Sequence, residues 1–147
     1  MRRFVMYVAV VMVAWLGVVV VAQTKITTTE EYTMLMKANA QANGAMNKAV
    51  GSGAFADART QVTTLRQNLT TLQGFWTERK KDDAVGILKA GLTRLDALDK
   101  MLSAGTVDQV AAQAAAKEFG GNTCGACHKL YRDGDNQTGF QFKPGVF

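Results

Sequence analysis

Residues 55–76 read FADARTQVTTLRQNLTTLQGFW, and the spacing of their apolar positions decides the fold. Phe55, Ala58, Val62, Leu65, Leu69, Leu72 and Trp76 recur at alternating steps of three and four. A helix turns once per about 3.6 residues, so these side chains form one stripe along one face. A stripe of this kind is buried against other helices, which makes it a bundle seam. The Thr and Gln residues between Thr60 and Gln73 fill the remaining faces and read as a solvated surface.

The flanking segments keep the same period. A first helix is predicted from about Thr28 to Val50, with Met36, Asn39, Asn43, Met46 and Val50 on its inner side. Thr27 and Thr28 each stand three residues before a Glu, Glu30 and Glu31, the spacing of a capping box. Gly51-Ser52-Gly53 stops this helix. Beyond the second helix, the charged run from Glu78 to Asp83 is a polar turn. A third helix follows from about Asp83 to Ser103, with Val85, Leu88, Leu92, Leu95, Leu98 and Leu102 inward, and Ala104-Gly105 ends it. The fourth starts at Thr106, with Gln109 as its capping partner and Asp108 in the first turn, where a negative charge suits the helix dipole. It is expected to run to about Arg132. No segment alternates with period two, so no strands are expected, and the Gly- and Asn-containing tail reads as irregular. The expected class is all-α, an up-down-up-down four-helix bundle.

A chain of 147 residues holds one ordinary domain. Three stretches divide it: 1–22, 23–133 as the bundle, and 134–147 as the tail. Met1-Arg2-Arg3 is a short positive start, Phe4 to Ala22 carries no charge, and Val20 and Ala22 are small enough for cleavage after Ala22. That pattern is a signal peptide and implies the periplasm, an oxidising compartment outside the cytoplasmic membrane. The same 19 uncharged residues nearly suffice to span a bilayer, so retention as an N-terminal anchor is the competing reading. Formal charge is +5; without Arg2 and Arg3 it is +3, from 15 basic and 12 acidic residues. The excess is mild and evenly spread, which argues against nucleic acid as a partner. There is no catalytic carboxylate pair, no nucleophile with a base and no phosphate loop, so no enzyme is expected.

The chemistry lies in Cys124-Gly125-Ala126-Cys127-His128. Cys-x-x-Cys-His is the attachment signature of c-type haem. Two Cys at i and i+3 stand about one helical turn apart on one face, so both thiols can reach the vinyl groups of one porphyrin. His128 follows Cys124 by four residues on the same face, where its ring can take the iron from the proximal side. Other readings compete. A thioredoxin-like pair needs a preceding strand, and this motif sits in a helical pattern. Zinc needs four ligands, and the chain has two Cys and one His. A redox-inert bundle with buried free Cys, or with the pair as a disulfide, is the third.

The run Gly121-Asn122-Thr123-Cys124-Gly125-Ala126-Cys127-His128-Lys129-Leu130-Tyr131-Arg132 resembles the C-terminal helix of the cytochrome c′ family. That family carries Cys-x-x-Cys-His near its C-terminus, followed by an aromatic and a basic residue. Met36-Lys37-Ala38, with Gly44 eight residues after Met36, resembles the family's first helix. The resemblance implies haem c bound covalently by Cys124 and Cys127, with iron on His128. It implies that Met36 faces the iron from the distal side, and that Tyr131 and Arg132 lie near the proximal ring. In low-spin members a distal Met ligates the iron and the protein carries single electrons, to small redox proteins or membrane electron-transfer complexes. In high-spin members the distal residue does not ligate, and NO or CO enters an open site. Met36 is the right type for ligation, although Met also fills core gaps. Met34 points elsewhere on the helix, and Met46 lies about 15 Å along the axis. Family members often pair through their first two helices, so a homodimer is among the implied assemblies.

One departure matters. The family often has an Arg four residues before the distal position, near a haem propionate, where this chain has Tyr32. Lys37, Arg79 and Arg132 are candidate replacements. Trp76 ends the second helix's seam, where a flat ring can pack on the macrocycle or simply close the core. Asn39 and Asn43 need partners inside the bundle, either haem-side groups or other helices. Gly120-Gly121, one turn before Cys124, costs helix stability and so suggests the close approach of a neighbour helix or of the haem edge. Lys129 reads as a solvated charge.

Overall fold

Thr28 starts the first helix. The computed structural model describes residues 25–135 and 139–146, and in it the Thr28 hydroxyl accepts the Glu31 N–H at 3.1 Å. The Glu31 carboxylate accepts the Thr28 N–H at 3.1 Å in return, which completes the capping box. Thr27 adds its N–H and hydroxyl to the same carboxylate, at 2.7 and 2.9 Å, rather than pairing with Glu30. These bonds, the Thr27 N–H first, hold Glu31 below the usual carboxylate range. The helix so begun, α1, spans Thr29–Ser52 and ends at Gly53, whose φ of 77° suits a residue without a side chain.

Helix α2, Phe55–Glu78, buries Ala58, Val62, Leu65, Leu69, Leu72 and Trp76, the seam expected from its spacing. Phe55 is only half-buried, and Phe75 joins the core instead. Each fully buried Leu contributes about 1.5–3 kcal/mol. Along the polar faces Thr60, Thr63, Thr64, Thr70, Thr71 and Thr77 donate to the carbonyl four residues back. The turn to the next helix holds Lys80 at φ 54°, a left-handed conformation that a side chain disfavours. Helix α3, Asp82–Leu102, buries Ala84, Leu88, Gly91, Leu95, Leu98 and Leu102. Val85 and Leu92, expected inward, flank that stripe half-buried.

The fourth helix differs from expectation in its start and its interior. Asp108, not Thr106, is the cap, and it accepts the Ala111 N–H at 3.0 Å. Gln109 does not complete that cap. Its side-chain amide donates to Val50 O and Gly51 O, at 3.0 and 2.8 Å, and so closes the end of α1. The helix is also not continuous in type. It runs as α4, Gln109–Phe119, then a π-helical segment, Gly120–Gly125, then α5, Ala126–Tyr131. Gly120 fits the expected close approach, since an added Cβ would lie 3.6 Å from the Asn43 amide. At Gly121 no neighbouring helix approaches, since nothing among the described residues lies within 4 Å of its Cβ position. Two successive glycines weaken the α-helix at the point where the wider turn begins.

The described chain is thus mostly helical, with four helices around one core. α1 packs on α2, α2 on α3, α3 on the fourth helix, and the fourth closes back on α1. Ion pairs Arg59–Asp99 (2.9 Å), Arg66–Asp96 and Arg94–Glu118 (3.4 Å) bridge neighbouring helices at the surface, where such pairs add little. Among the described residues no helix is long and apolar enough to cross a membrane. The expected export segment, residues 1–22, lies outside the described residues.

The absence of strands is overturned at the tail. Arg132–Asp135 and Gly139–Phe142 form an antiparallel pair, β1 and β2, with Arg132 opposite Phe142. The last helical carbonyls fix this return. Lys143 donates its N–H to Tyr131 O at 3.0 Å, and its ammonium to Lys129 O at 2.8 Å.

Candidate functional site

A cavity of about 440 Å³ opens where the end of the fourth helix faces α1. That is within the roughly 300–1,000 Å³ usual for small-molecule pockets. One wall is a single face of α1: Thr29, Tyr32, Thr33, Met36, Lys37 and Ala40, spaced by three and four. The facing wall is Cys127, His128 and Tyr131 of α5 with Arg132. A third wall is Phe140, Gln141 and Phe142 of β2. The lining is mainly apolar, with the cations Lys37 and Arg132 among it.

The cavity therefore brings together Met36, Cys127, His128, Tyr131 and Arg132 from segments up to 96 positions apart in the chain. Two of the expected contacts stand elsewhere. Cys124 packs against the core and does not line the cavity, although one shared face was expected for both cysteines. It belongs to the π-helical segment and Cys127 to α5, and the wider turn rotates one away from the other. Trp76 is fully buried behind the wall, its ring 4.4 Å from that of Tyr131 and 6.1 Å from that of Tyr32. It supports the lining aromatics rather than meeting the cavity.

The other sequence candidates are placed as follows. Met46 is in the core and Met34 is exposed, which leaves Met36 as the thioether at the cavity among the described residues. Asn39 accepts from Asn68 Nδ2 at 2.9 Å, a bond between α1 and α2. Asn43 accepts from Asn47 within α1, with its side chain against Gly120. Arg79 stacks over the Phe75 ring at 3.6 Å and donates to Phe75 O at 3.2 Å, off the cavity wall. Lys129 is exposed.

Burial governs the ionisation of the site. Both cysteines are free thiols, and burial raises both above the ordinary range, Cys127 to about 11. Neutral thiols are poor thiolate nucleophiles, which counts against a thioredoxin-like pair. Burial, then Arg132, lowers His128, which favours the neutral ring whose lone pair can coordinate. Burial, then Cys127, raises the Tyr32 hydroxyl. Tyr131 donates a hydrogen bond to the Asp83 carboxylate at the start of α3. Burial and that bond raise Tyr131 to about 12, and the bond lowers Asp83. Among the described residues no three His, Cys, Asp or Glu side chains gather in a metal-holding cluster.

Asp83 and the β2 residues are the contributors that sequence reasoning missed. Phe140-Gln141-Phe142 does alternate with period two, a short strand signal after Gly139. For Asp83 no local signal exists, since its partner is 48 residues away. The chain matches no protein-family model, no curated protein and no solved structure.

Proposed function

We propose that this chain is a monohaem c-type cytochrome of the cytochrome c′ kind that carries single electrons in the periplasm. The observation that carries the reading is the cavity itself, with Cys127 and His128 on one wall and Met36 on the other. The residues suit haem in three respects. The cavity is apolar and of small-molecule size. It has a neutral imidazole on one side and a thioether on the other, the donor pair of a low-spin electron-transfer iron. It has two cations for two propionates, Lys37 and Arg132, where Tyr32 replaces the family's Arg. Cys124, turned off the cavity wall by the π-helical segment, would have to rotate towards the ring to complete the attachment pair.

Haem supplies a one-electron ferric–ferrous couple when bound. His128 would hold the iron through its ring nitrogen, and Cys124 and Cys127 would hold the porphyrin through thioethers. Met36, on the facing wall, would offer its thioether to the iron and so raise the reduction potential relative to an oxygen donor. Tyr131, clamped by Asp83, fixes the wall next to His128, and the apolar lining keeps water out. The four helices alternate up and down, as their short connections favour. Residues 1–22 direct export, and small redox proteins or membrane electron-transfer complexes are the partners.

The test is the visible spectrum of the purified chain, oxidised and reduced, with and without CO. A low-spin spectrum with a methionine–iron band, unchanged by CO and lost in Met36→Leu, is expected. A high-spin spectrum that shifts with CO would move the function to NO or CO binding at an open distal face.

A further inference from the structure

The threonines of this chain report the winding of the helix around them. Thr33, Thr60, Thr63, Thr64, Thr70, Thr71, Thr77 and Thr93 lie inside α-helices, and each donates its hydroxyl to the carbonyl four residues back. Thr123 breaks the pattern. Its side chain is buried, and its hydroxyl has no hydrogen-bond partner. It lies in the π-helical segment Gly120–Gly125, between two stretches of α-helix. A buried hydroxyl left unpaired is unfavourable, so the wide winding carries a cost at this residue.

We propose that Thr123 is a positioning residue for Cys124: the segment rewinds from π to α, Thr123 gains the Phe119 carbonyl and gives up its inward place, and Cys124 takes that place on the cavity face. The inference rests on the haem reading for why both thiols must share a face, and on this chain's own winding for the rotation.

The two windings set the direction of the turn. A π turn closes on the fifth residue and an α turn on the fourth, so the segment holds one residue more than α winding would. Thr123 now continues the phase of α4 and points inward, where a Cβ at Gly91 would stand 3.0 Å from its Oγ1. Cys124, the next residue, is turned roughly a quarter of a circle from it, off the cavity wall. When the surplus residue passes across Gly120-Gly121 into the last turn of α4, residues 122–125 come into phase with α5. Cys124 then stands three residues before Cys127 and four before His128 in one continuous α-helix, on their shared face. Thr123 turns outward, in reach of the carbonyl four residues back. Gly91 has no side chain, so it leaves room for the sulfur where the Thr123 methyl had been. The crossing point is two glycines, which hold α winding weakly.

The test reads the shared face without haem. Phenylarsine oxide condenses with two thiols, forming two As–S bonds and releasing one water, where both sulfurs reach one arsenic. Its rate of bridging Cys124 and Cys127, followed by intact mass, is compared in the full chain produced without haem and in three variants. Deletion of Gly121 removes the surplus residue and fixes α winding, and bridging should run about tenfold faster or more. Thr123→Val keeps the shape but relieves the π winding of its unpaired hydroxyl, and bridging should slow about fivefold. Thr123→Ser restores the hydroxyl and should restore the rate. Equal rates in wild type, Thr123→Val and Thr123→Ser, with unchanged helical circular dichroism, overturn the proposal. So does a folded Gly121 deletion that bridges no faster; where that deletion does not fold, the Val and Ser pair decides.

In the exported chain, Thr123→Val should leave Cys124 as a free thiol in a larger share of haem-bearing molecules than wild type, and an equal share counts against the proposal. If the exported chain carries no haem while the bridging rates keep the stated order, the haem reading has failed and the rewinding stands.

Discussion

Gly91 on α3 packs against Thr123, the residue before Cys124, and replacing it with alanine tests that contact. A Cβ added at Gly91 would fall inside contact distance of the Thr123 methyl, 3.0 Å from its Oγ1 and 3.1 Å from Leu69 Cδ2. The Leu69 tip can swing aside, but Thr123 is short, stiff and 2 % exposed. Gly86 lies on the same helix with nothing within 4 Å of its Cβ position, and serves as the control. In a helix, Gly→Ala gains about 1 kcal/mol from backbone entropy. At Gly86 that gain is the whole effect. At Gly91 it meets an overpacking cost of about 1–3 kcal/mol. The net change there runs from near zero to about 2 kcal/mol of destabilisation, and the two variants differ by about 1–3 kcal/mol. With a urea slope of about 1–3 kcal/mol/M, their unfolding midpoints separate by about 1 M. Thr123→Ala removes the obstructing atoms and a buried hydroxyl without a hydrogen-bond partner. In that background Gly91→Ala should become neutral or stabilising. Coincident midpoints for the Gly91 and Gly86 variants, or no rescue by Thr123→Ala, would refute this account of the packing ahead of Cys124.

Three further outcomes follow from the same geometry. Tyr131→Phe removes the bond that depresses Asp83. A depressed folded pKa gives stability that is present above the ordinary carboxylate range and lost as pH falls through the folded value. The gap between wild type and Tyr131→Phe in urea titrations should therefore be full at about pH 6 and shrink towards about pH 3. A gap that is constant with pH contradicts the bond. Lys80→Gly relieves the positive φ of the turn and should raise stability by about 1 kcal/mol, read as a higher melting temperature. Asp108→Ala removes the cap of α4 and should cost about 1 kcal/mol in the same measurement.

Much of this fold was legible because its determinants are local. The Phe55–Trp76 stripe, the Thr28–Glu31 box and the Gly53 stop depend on residues within a turn or two of one another. The sequence also pointed to Met36, His128 and Cys127, which α1 and α5 bring to one cavity. What escaped was set by distant partners. Gln109 looked like a cap for its own helix, but its amide is taken by carbonyls of α1 58 and 59 positions away. The π-helical segment is a change of winding with no periodic signature, and through it Cys124 left the cavity face. Trp76 was placed on the right seam, but it stands one layer deeper than a cavity contact needs, behind Tyr32 and Tyr131. The strand at Phe140–Phe142 is too short for period two to stand out from a tail containing Gly and Pro.

The central claim is covalent attachment of haem at Cys124 and Cys127. It is tested most directly by the intact mass of the chain exported to the periplasm, measured under denaturing conditions. The account predicts the mass of the polypeptide plus one haem, with the haem lost when both cysteines are changed to Ser. The mass of the bare polypeptide, or haem retained after both substitutions, would contradict it.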